Sequence, residues 1–349
     1  MNLPRLGVVV VTFNASDVIL DCLESLLAAT DVALDIVVVD NASLDGTVHH
    51  LKDWAAGTTP YTAPDDTPFA LMPCAKPVAL RAADGGDAQA TDHSVTLIET
   101  GVNGGFAGGV NHGLKELATR AYLDRFWVLN PDSAVPPETP SAFATYDPGP
   151  FALMGGRVLY YDTPDMIQID GGTLNTRTGV TGNLGLGQST QTTPESDPAE
   201  MEFITGASLI ASRAFYESAG PMPEQYFLYY EEVDWARQRG DLPLAYCPNT
   251  IVYHRAGTAI GSATLARPAS PFSQYFKHRA RLRFIRSLFP ASVPIALAYS
   301  CAKAAQIALK GYRAEAWALL RGSLNMPPPR KVRDILSDEA ARIALPEHK

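Results

Sequence analysis

The chain has 349 residues, 46% hydrophobic and 19% charged, with a formal net charge of −9. This is the composition of an ordinary soluble globular protein of one large or two smaller domains, and the acidic balance argues against duplex nucleic acid as a partner. Four scattered cysteines (Cys22, Cys74, Cys247, Cys301) without a C-x-x-C pair exclude a disulfide framework and a cysteine zinc site.

The opening "MNLPRLGVVVVTFNAS" enters a strand-like run too early for a signal peptide, so a reducing, cytoplasmic setting is expected. "LGVVVVTFN" is continuously apolar and β-branched, the pattern of a strand covered on both faces. "SDVILDCLESLLAA" follows as an amphipathic helix, with Ser16 the expected N-cap. "LDIVVVDNAS" repeats the buried-strand pattern and "DGTVHHLKDWAA" the helix. Strand and helix in alternation predict a right-handed βαβ start to a doubly wound sheet. Residues 57–94, rich in Pro, Gly and Asp, read as an insertion. "SVTLIET" predicts the third strand, "GVNGGFAGGVNHGLKELATRA" a glycine turn opening a helix, and "RFWVLNPDS" the fourth strand. Short strands and loops are expected over 151–200, a strand then a helix in "MEFITGASLIASRAFYESAG", and helices from about residue 272 onward.

In open α/β sheets, ligands lie beyond the carboxyl ends of the strands. Those positions hold "TFN" (12–14), "DNAS" (40–43), "NGGFAGGVN" (103–111) and "NPDS" (130–133). A dinucleotide-binding enzyme would place G-x-G-x-x-G directly after the first strand, where this chain has Thr12-Phe13-Asn14-Ala15. A Walker phosphate loop is absent as well. Further on, "FLYYEEVDWARQR" sets Glu231, Glu232 and Asp234 among large aromatic residues, and clustered carboxylates repel one another unless a cation or proton offsets them.

Taken in order, "VVVTFNAS…IVVVDNASLDGT…NGGFAGGVNHGL…FWVLNPDS…GASL…FLYYEEVDWARQR…VYHRAG" resembles the family 2 glycosyltransferases, and within them the bacterial rhamnosyltransferase-like members, over residues 6–262. The resemblance implies an α/β GT-A (Rossmann-like) doubly wound mixed sheet. A catalytic domain would span 1–265, with a nucleotide-binding half (1–135) and an acceptor half (136–265), and a helical C-terminal extension would span 266–349. It also implies that Thr12, Asn14 and Asp40 line the nucleotide pocket. Asn103, Gly104, Gly105 and Asn111 would lie along the donor. Asp132, with His254, would hold Mg2+ or Mn2+, and Glu232 would be the catalytic base. Asn130 departs from the family's D-x-D pattern by supplying no charge. The partners implied are a nucleotide-diphosphate sugar, dTDP-L-rhamnose foremost, and a hydroxyl of a polysaccharide or lipid-linked glycan. A UDP-hexose transferase and a non-catalytic glycan-binding relative are the competing readings.

The chemistry suits these residue types. A diphosphate leaving group gains charge that a divalent cation offsets, and an attacking hydroxyl must lose a proton to a positioned carboxylate. Asp234 is expected to pair with Arg237 or Arg239. The aromatic residues of 226–230 are either core or an acceptor platform.

Residues 271–314 carry eight Lys/Arg and no Asp or Glu, which leaves −18 on the first 270 residues. The stretch "YFKHRARLRFIRSLFPASVPIALAYSCA" is basic and aromatic, then apolar. Its sixteen uncharged residues from Ser287 to Ala302 fall short of the ~20 needed to span a bilayer. Two roles for 272–326 are open: a helix packed on the catalytic domain, or a peripheral contact with the inner face of the cytoplasmic membrane.

Overall fold

The computed structural model describes residues 3–83, 93–255 and 269–345. Residues 84–92 of the expected insertion, residues 256–257 of "VYHRAG", and the expected boundary at 265/266 lie outside the described residues.

The elements run β1 (Arg5–Thr12), α1 (Ile19–Leu27), β2 (Ala33–Asp40), α2 (Thr47–Ala56), β3 (Leu80–Arg81), β4 (Ser94–Glu99), α3 (Gly105–Ala118), β5 (Arg125–Leu129), β6 (Ser133–Ala134) and α4 (Thr139–Thr145). The chain continues through β7 (Leu153–Tyr160), β8 (Thr163–Ile169), β9 (Gly172–Leu174), β10 (Thr181–Asn183), β11 (Ser208–Ser212), α5 (Arg213–Ala219), α6 (Glu231–Arg237) and β12 (Ala245–His254). Five helices follow: α7 (Pro271–Leu288), α8 (Val293–Leu309), α9 (Arg313–Ser323), α10 (Arg330–Arg333) and α11 (Asp338–Ala344).

The main sheet has the order β3-β4-β2-β1-β5-β11-β7-β12-β6, with β8 on β7. The first five strands are parallel, β11 enters antiparallel between β5 and β7, and β12 runs parallel to β7. It is the mixed α/β sheet expected. The continuous apolar runs are explained by cover on both faces. In β1, Val9 and Val11 join the core under α3, whereas Leu6, Val8 and Val10 join the core under α1 and α2. In β2, Val37 and Val39 separate in the same way from Leu34, Ile36 and Val38. Helix α3 can lie close to β1 because Gly109 and Gly113 face it. A Cβ there would stand 2.5 Å from Val11 and 2.4 Å from Val9.

Ser16 does not cap α1. The helix begins at Ile19 after Val18, without a side-chain cap, and the Ser16 hydroxyl turns to Asp17. The described part of the insertion is anchored on α1 and α2. Fully buried Glu24 accepts from Trp54 Nε1 (2.7 Å), Lys76 Nζ (2.6 Å) and Cys74 N (2.7 Å), and Tyr61 donates to Asp21 at 2.8 Å. Helix α7 is not a detached extension. Its Ala280, Leu282, Phe284 and Ile285 belong to the core under α3, and Phe272, Tyr275 and Phe276 form a second cluster with Phe227.

Candidate active site

Parallel register brings Thr12, Asp40 and Glu99 level at the carboxyl ends of β1, β2 and β4. The strand directions put the ends of β5 and β12, and the start of β11, on this same edge. Buried Asp40 accepts from Thr12 Oγ1 (2.9 Å) and from Ser43 N (3.0 Å), which holds its carboxylate at the rim with lone pairs to spare. Asn14, at φ 52°, accepts from Leu44 N through Oδ1 at 2.8 Å, and its own N–H donates to Ser43 Oγ. These bonds fix the two loops against each other.

The glycine loop meets this group through Asn41. The Asn41 Nδ2 donates to Gly105 O at 2.7 Å, and Asn103 Oδ1 accepts from Gly105 N at 2.9 Å. Gly105 sits at φ 82°, and a Cβ there would be 2.3 Å from Phe227 O, so the position requires glycine. Phe106 N also donates to Phe227 O. The loop is therefore clamped to the segment that leads into α6. Asn111 is placed differently from the expectation. Its Nδ2 donates to Met222 O and Glu224 Oε1, and its Oδ1 accepts from Met222 N. That amide ties down residues 222–224 and leaves little capacity for a donor sugar.

Asp132 and His254, 122 positions apart, meet where Ser133 pairs with His254 across β6 and β12. Asp132 Oδ1 lies 3.2 Å from His254 Nε2, and Asn130 Nδ2 lies 3.2 Å from the same nitrogen. His254 Nδ1 contacts Gln168 Oε1 at 2.7 Å. An amide oxygen can only accept, so Nδ1 donates in this bond and Nε2 is the ring nitrogen turned towards Asp132 and Asn130. Neighbouring ligands of a small octahedral cation are ~3 Å apart. An oxygen and a nitrogen donor at 3.2 Å fit that spacing, and the buried hydroxyl of Ser133 beside them has no hydrogen-bond partner. Among the described residues no group of three or more His, Cys, Asp or Glu could hold a metal, so the rest of such a shell would come from ligand and water.

Glu232 approaches the segment that leads into β11, next to Asn130. Asn130 N donates to Ala207 O, and the adjacent Gly206 would carry a Cβ 4.0 Å from the Glu232 carboxyl carbon and 3.2 Å from the Phe106 ring. The segment before α6 is strained. Phe227, Tyr229 and Tyr230 take φ of 71°, 70° and 73°, at about 1–2 kcal/mol each for residues with a Cβ. Tyr226, Phe227 and Tyr230 are buried, so three of these aromatics are core. Ring contacts of Phe227 with Phe276 (5.3 Å) and of Tyr230 with Phe284 (5.6 Å) lock the strained turn onto α7.

The three acids have three environments. Asp234 accepts from Tyr226 Oη (2.7 Å) and Gln225 Nε2 (3.0 Å), not from an arginine. Arg237 pairs with Glu202 instead. Glu231 is fully buried with Oε1 unpartnered, and burial first, then the neighbouring Glu232, push its pKa well above the carboxylate range. Half-buried Glu232 is raised to about 6 by burial, a rise moderated by its own backbone N–H and by Lys277. Lys277 of α7 is exposed and near enough to Glu232 for the two charges to act on each other. Sequence reasoning missed this cation, as it missed Gln168 and Asn41. The one available signal was the run of eight basic residues without an acid.

Residues 7–65 match the family described as Glycosyl transferase family 2. The fold superposes on the mannosyltransferase PcManGT from Pyrobaculum calidifontis, in its complex with GDP-Man and Mn2+, with a TM-score of 0.50 and 15% identity, covering 93% of this chain and 87% of that one. It superposes on S. aureus TarS 1–349 with a TM-score of 0.51 and 14% identity, covering 95% and 83%. At such identities the likeness shows the fold. No curated protein matches the chain in sequence. The family match covers the first βαβα unit, and the sheet that continues from it through the described chain has the GT-A fold of these solved glycosyltransferases.

Proposed function

We propose that the chain is an inverting, metal-dependent transferase that moves a sugar from a nucleotide-diphosphate donor to a hydroxyl of a polysaccharide or lipid-linked glycan in the cytoplasm. The observation that supports this reading is a short chain of contacts at one sheet edge: Asp132 and Asn130 both lie 3.2 Å from His254 Nε2, Asn130 N donates to Ala207 O, and the adjacent Gly206 lies next to Glu232. The sequence resemblance favours L-rhamnose from dTDP-rhamnose. GDP-mannose, held by the PcManGT complex, and UDP-hexoses are the competing donors.

In this reading Asp40, Thr12 and Asn14 receive the nucleoside, and the Asn103–Gly105 loop lies along the donor. Asp132 and His254 would hold Mg2+ or Mn2+, which when bound offsets the charge gathering on the diphosphate. Glu232, as carboxylate, takes the proton from the acceptor hydroxyl while that oxygen bonds to the anomeric carbon. The bond to the diphosphate oxygen breaks with its electron pair leaving on the phosphate. Attack opposite the leaving group inverts the carbon. The clamped turn 227–230 holds the base in position, so no ordering cost is met during the reaction.

Thermal unfolding with dTDP, UDP and GDP, each with and without Mn2+, tests the reading. One diphosphate should stabilise the protein only with metal, by about 2.7 kcal/mol at a hundred times its Kd. Glu232→Gln should keep that stabilisation and lose transfer by about 10²–10⁴-fold. Asp132→Ala should lose the metal-dependent part. Turnover retained by Glu232→Gln would place the base elsewhere. No response to any diphosphate would favour a binding protein over an enzyme.

A further inference from the structure

We propose that the outer surface of the α8–α9 hairpin is a lipid-binding face that seats the protein on an anionic membrane. This goes beyond the transfer reaction and does not depend on it.

Helix α8 buries Ala296, Ser300, Ala304 and Ile307 against α7 and α9. Ile295, Ala298, Ala302, Ala305 and Leu309 recur at spacings of three and four, and all are exposed. With 3.6 residues per turn, this stripe falls on the side of the helix roughly opposite the buried one. Its end is the most open: Leu309 is 90% exposed, and Tyr312 and Trp317 follow at 40% and 52%. Lys310 and Arg313 are exposed on the same turn, and residues 271–314 contain no Asp or Glu. An apolar stripe ending in Leu, Tyr and Trp with flanking Lys and Arg matches the interfacial zone of an anionic bilayer. A second copy of the chain suits it less, because Lys310 and Arg313 would face their own equivalents across a two-fold axis.

The helix lies on the membrane and does not cross it. By length and composition, Pro290–Leu309 could span a bilayer, and 22% of it is buried. Ser300, however, is held by Arg281 and by Ser323, and Ala304 and Ile307 pack on Ala316 and Leu319. Spanning would break these contacts. In α7, the first part of the 272–326 stretch expected as a lipid contact, Arg279 and Arg281 face inward at 8% and 1% exposed, while Lys277 and Arg286 are exposed.

The chain carries its own reporter. Of its four tryptophans, Trp54, Trp127 and Trp235 are fully buried and Trp317 is exposed. The full chain is titrated with phosphatidylglycerol/phosphatidylcholine vesicles and with phosphatidylcholine vesicles alone, read by tryptophan emission and by flotation. The expected result is a blue shift and flotation with the anionic vesicles only, reversed by high salt. Leu309→Ser with Trp317→Ser, both exposed and checked by an unchanged circular dichroism spectrum, should weaken binding by about tenfold or more. Lys310→Ser with Arg313→Ser should lose the preference for anionic lipid while keeping the emission of Trp317 in solution. Unaltered flotation of Leu309→Ser/Trp317→Ser, or no binding to anionic vesicles, overturns the proposal. So does retention through high salt and alkaline wash, or a dimer that dissociates on these substitutions without lipid.

Discussion

His254 donates its Nδ1–H to Gln168 Oε1 at 2.7 Å, and the bond aims Nε2 at Asp132 Oδ1, 3.2 Å away. Gln168 lies near the end of β8, beside β7, and never approaches Asp132 in sequence. Its contribution is to hold the ring. Replacing such an outer partner of a metal-binding histidine lowers metal affinity by about 10–100-fold. Gln168→Leu should therefore weaken Mn2+ binding in the presence of a nucleoside diphosphate by that factor, measured by calorimetry. Unchanged Mn2+ affinity would remove Gln168 from the site.

The pH dependence of transfer should follow Glu232. Burial raises its pKa to about 6, and the base works ionised, so kcat/KM should rise with pH through about 6 and then level. Lys277 opposes that rise. Lys277→Met should move the limb to higher pH without abolishing the plateau, and a limb that stays in place would assign it to another group.

Glu231 should mark the stability curve. Its folded pKa is raised, so its contribution is complete below the ordinary carboxylate value and is lost as pH climbs through the folded value. Glu231→Gln should therefore narrow the difference in Tm between pH 5 and pH 8, with the gain at pH 8. An equal loss of Tm at both values would show that Glu231 is ionised in the folded protein.

Glu24 anchors the insertion. The carboxylate is fully buried and satisfied by Trp54, Lys76 and the backbone of Cys74. Removing one partner of a buried pair costs about 3–5 kcal/mol. Glu24→Ala should lose roughly this amount in urea unfolding, and protease cleavage within 57–83 should appear in the folded state. Burial raises the pKa of Glu24 and the hydrogen bonds from Cys74, Lys76 and Trp54 more than offset it, so the folded value is lowered. This contribution is present above the ordinary glutamate value and is lost as pH falls through the folded one. A loss under about 1 kcal/mol would show the insertion to be tethered elsewhere.

By itself the sequence determined the sheet and the identity of most groups on its carboxyl rim. Val8 to Val11 and Ile36 to Val39 can be buried only with helices on both faces, and the turn after each such strand must then open at one edge. Thr12, Asp40 and Asp132 were legible at the rim for that reason, because each is the last residue of a strand or closely follows one, whereas His254 was named only through the family resemblance. Ser16, Asn111 and Asp234 were not. Each has an ordinary local role in sequence, and each is tied to a partner that the fold brought near: Ser16 through its N–H to Asp45, Asn111 to Met222 and Asp234 to Tyr226. Tertiary structure alone decided that Lys277 comes near Glu232, that Gln168 stands behind His254, and that the inward helix of the basic tail is α7 while the outward one is α8. Local periodicity states which side of a helix is apolar. Only the closed fold states which apolar side finds a neighbour, because the entropy of bringing distant segments together is offset by long-range contacts that no short window of sequence contains.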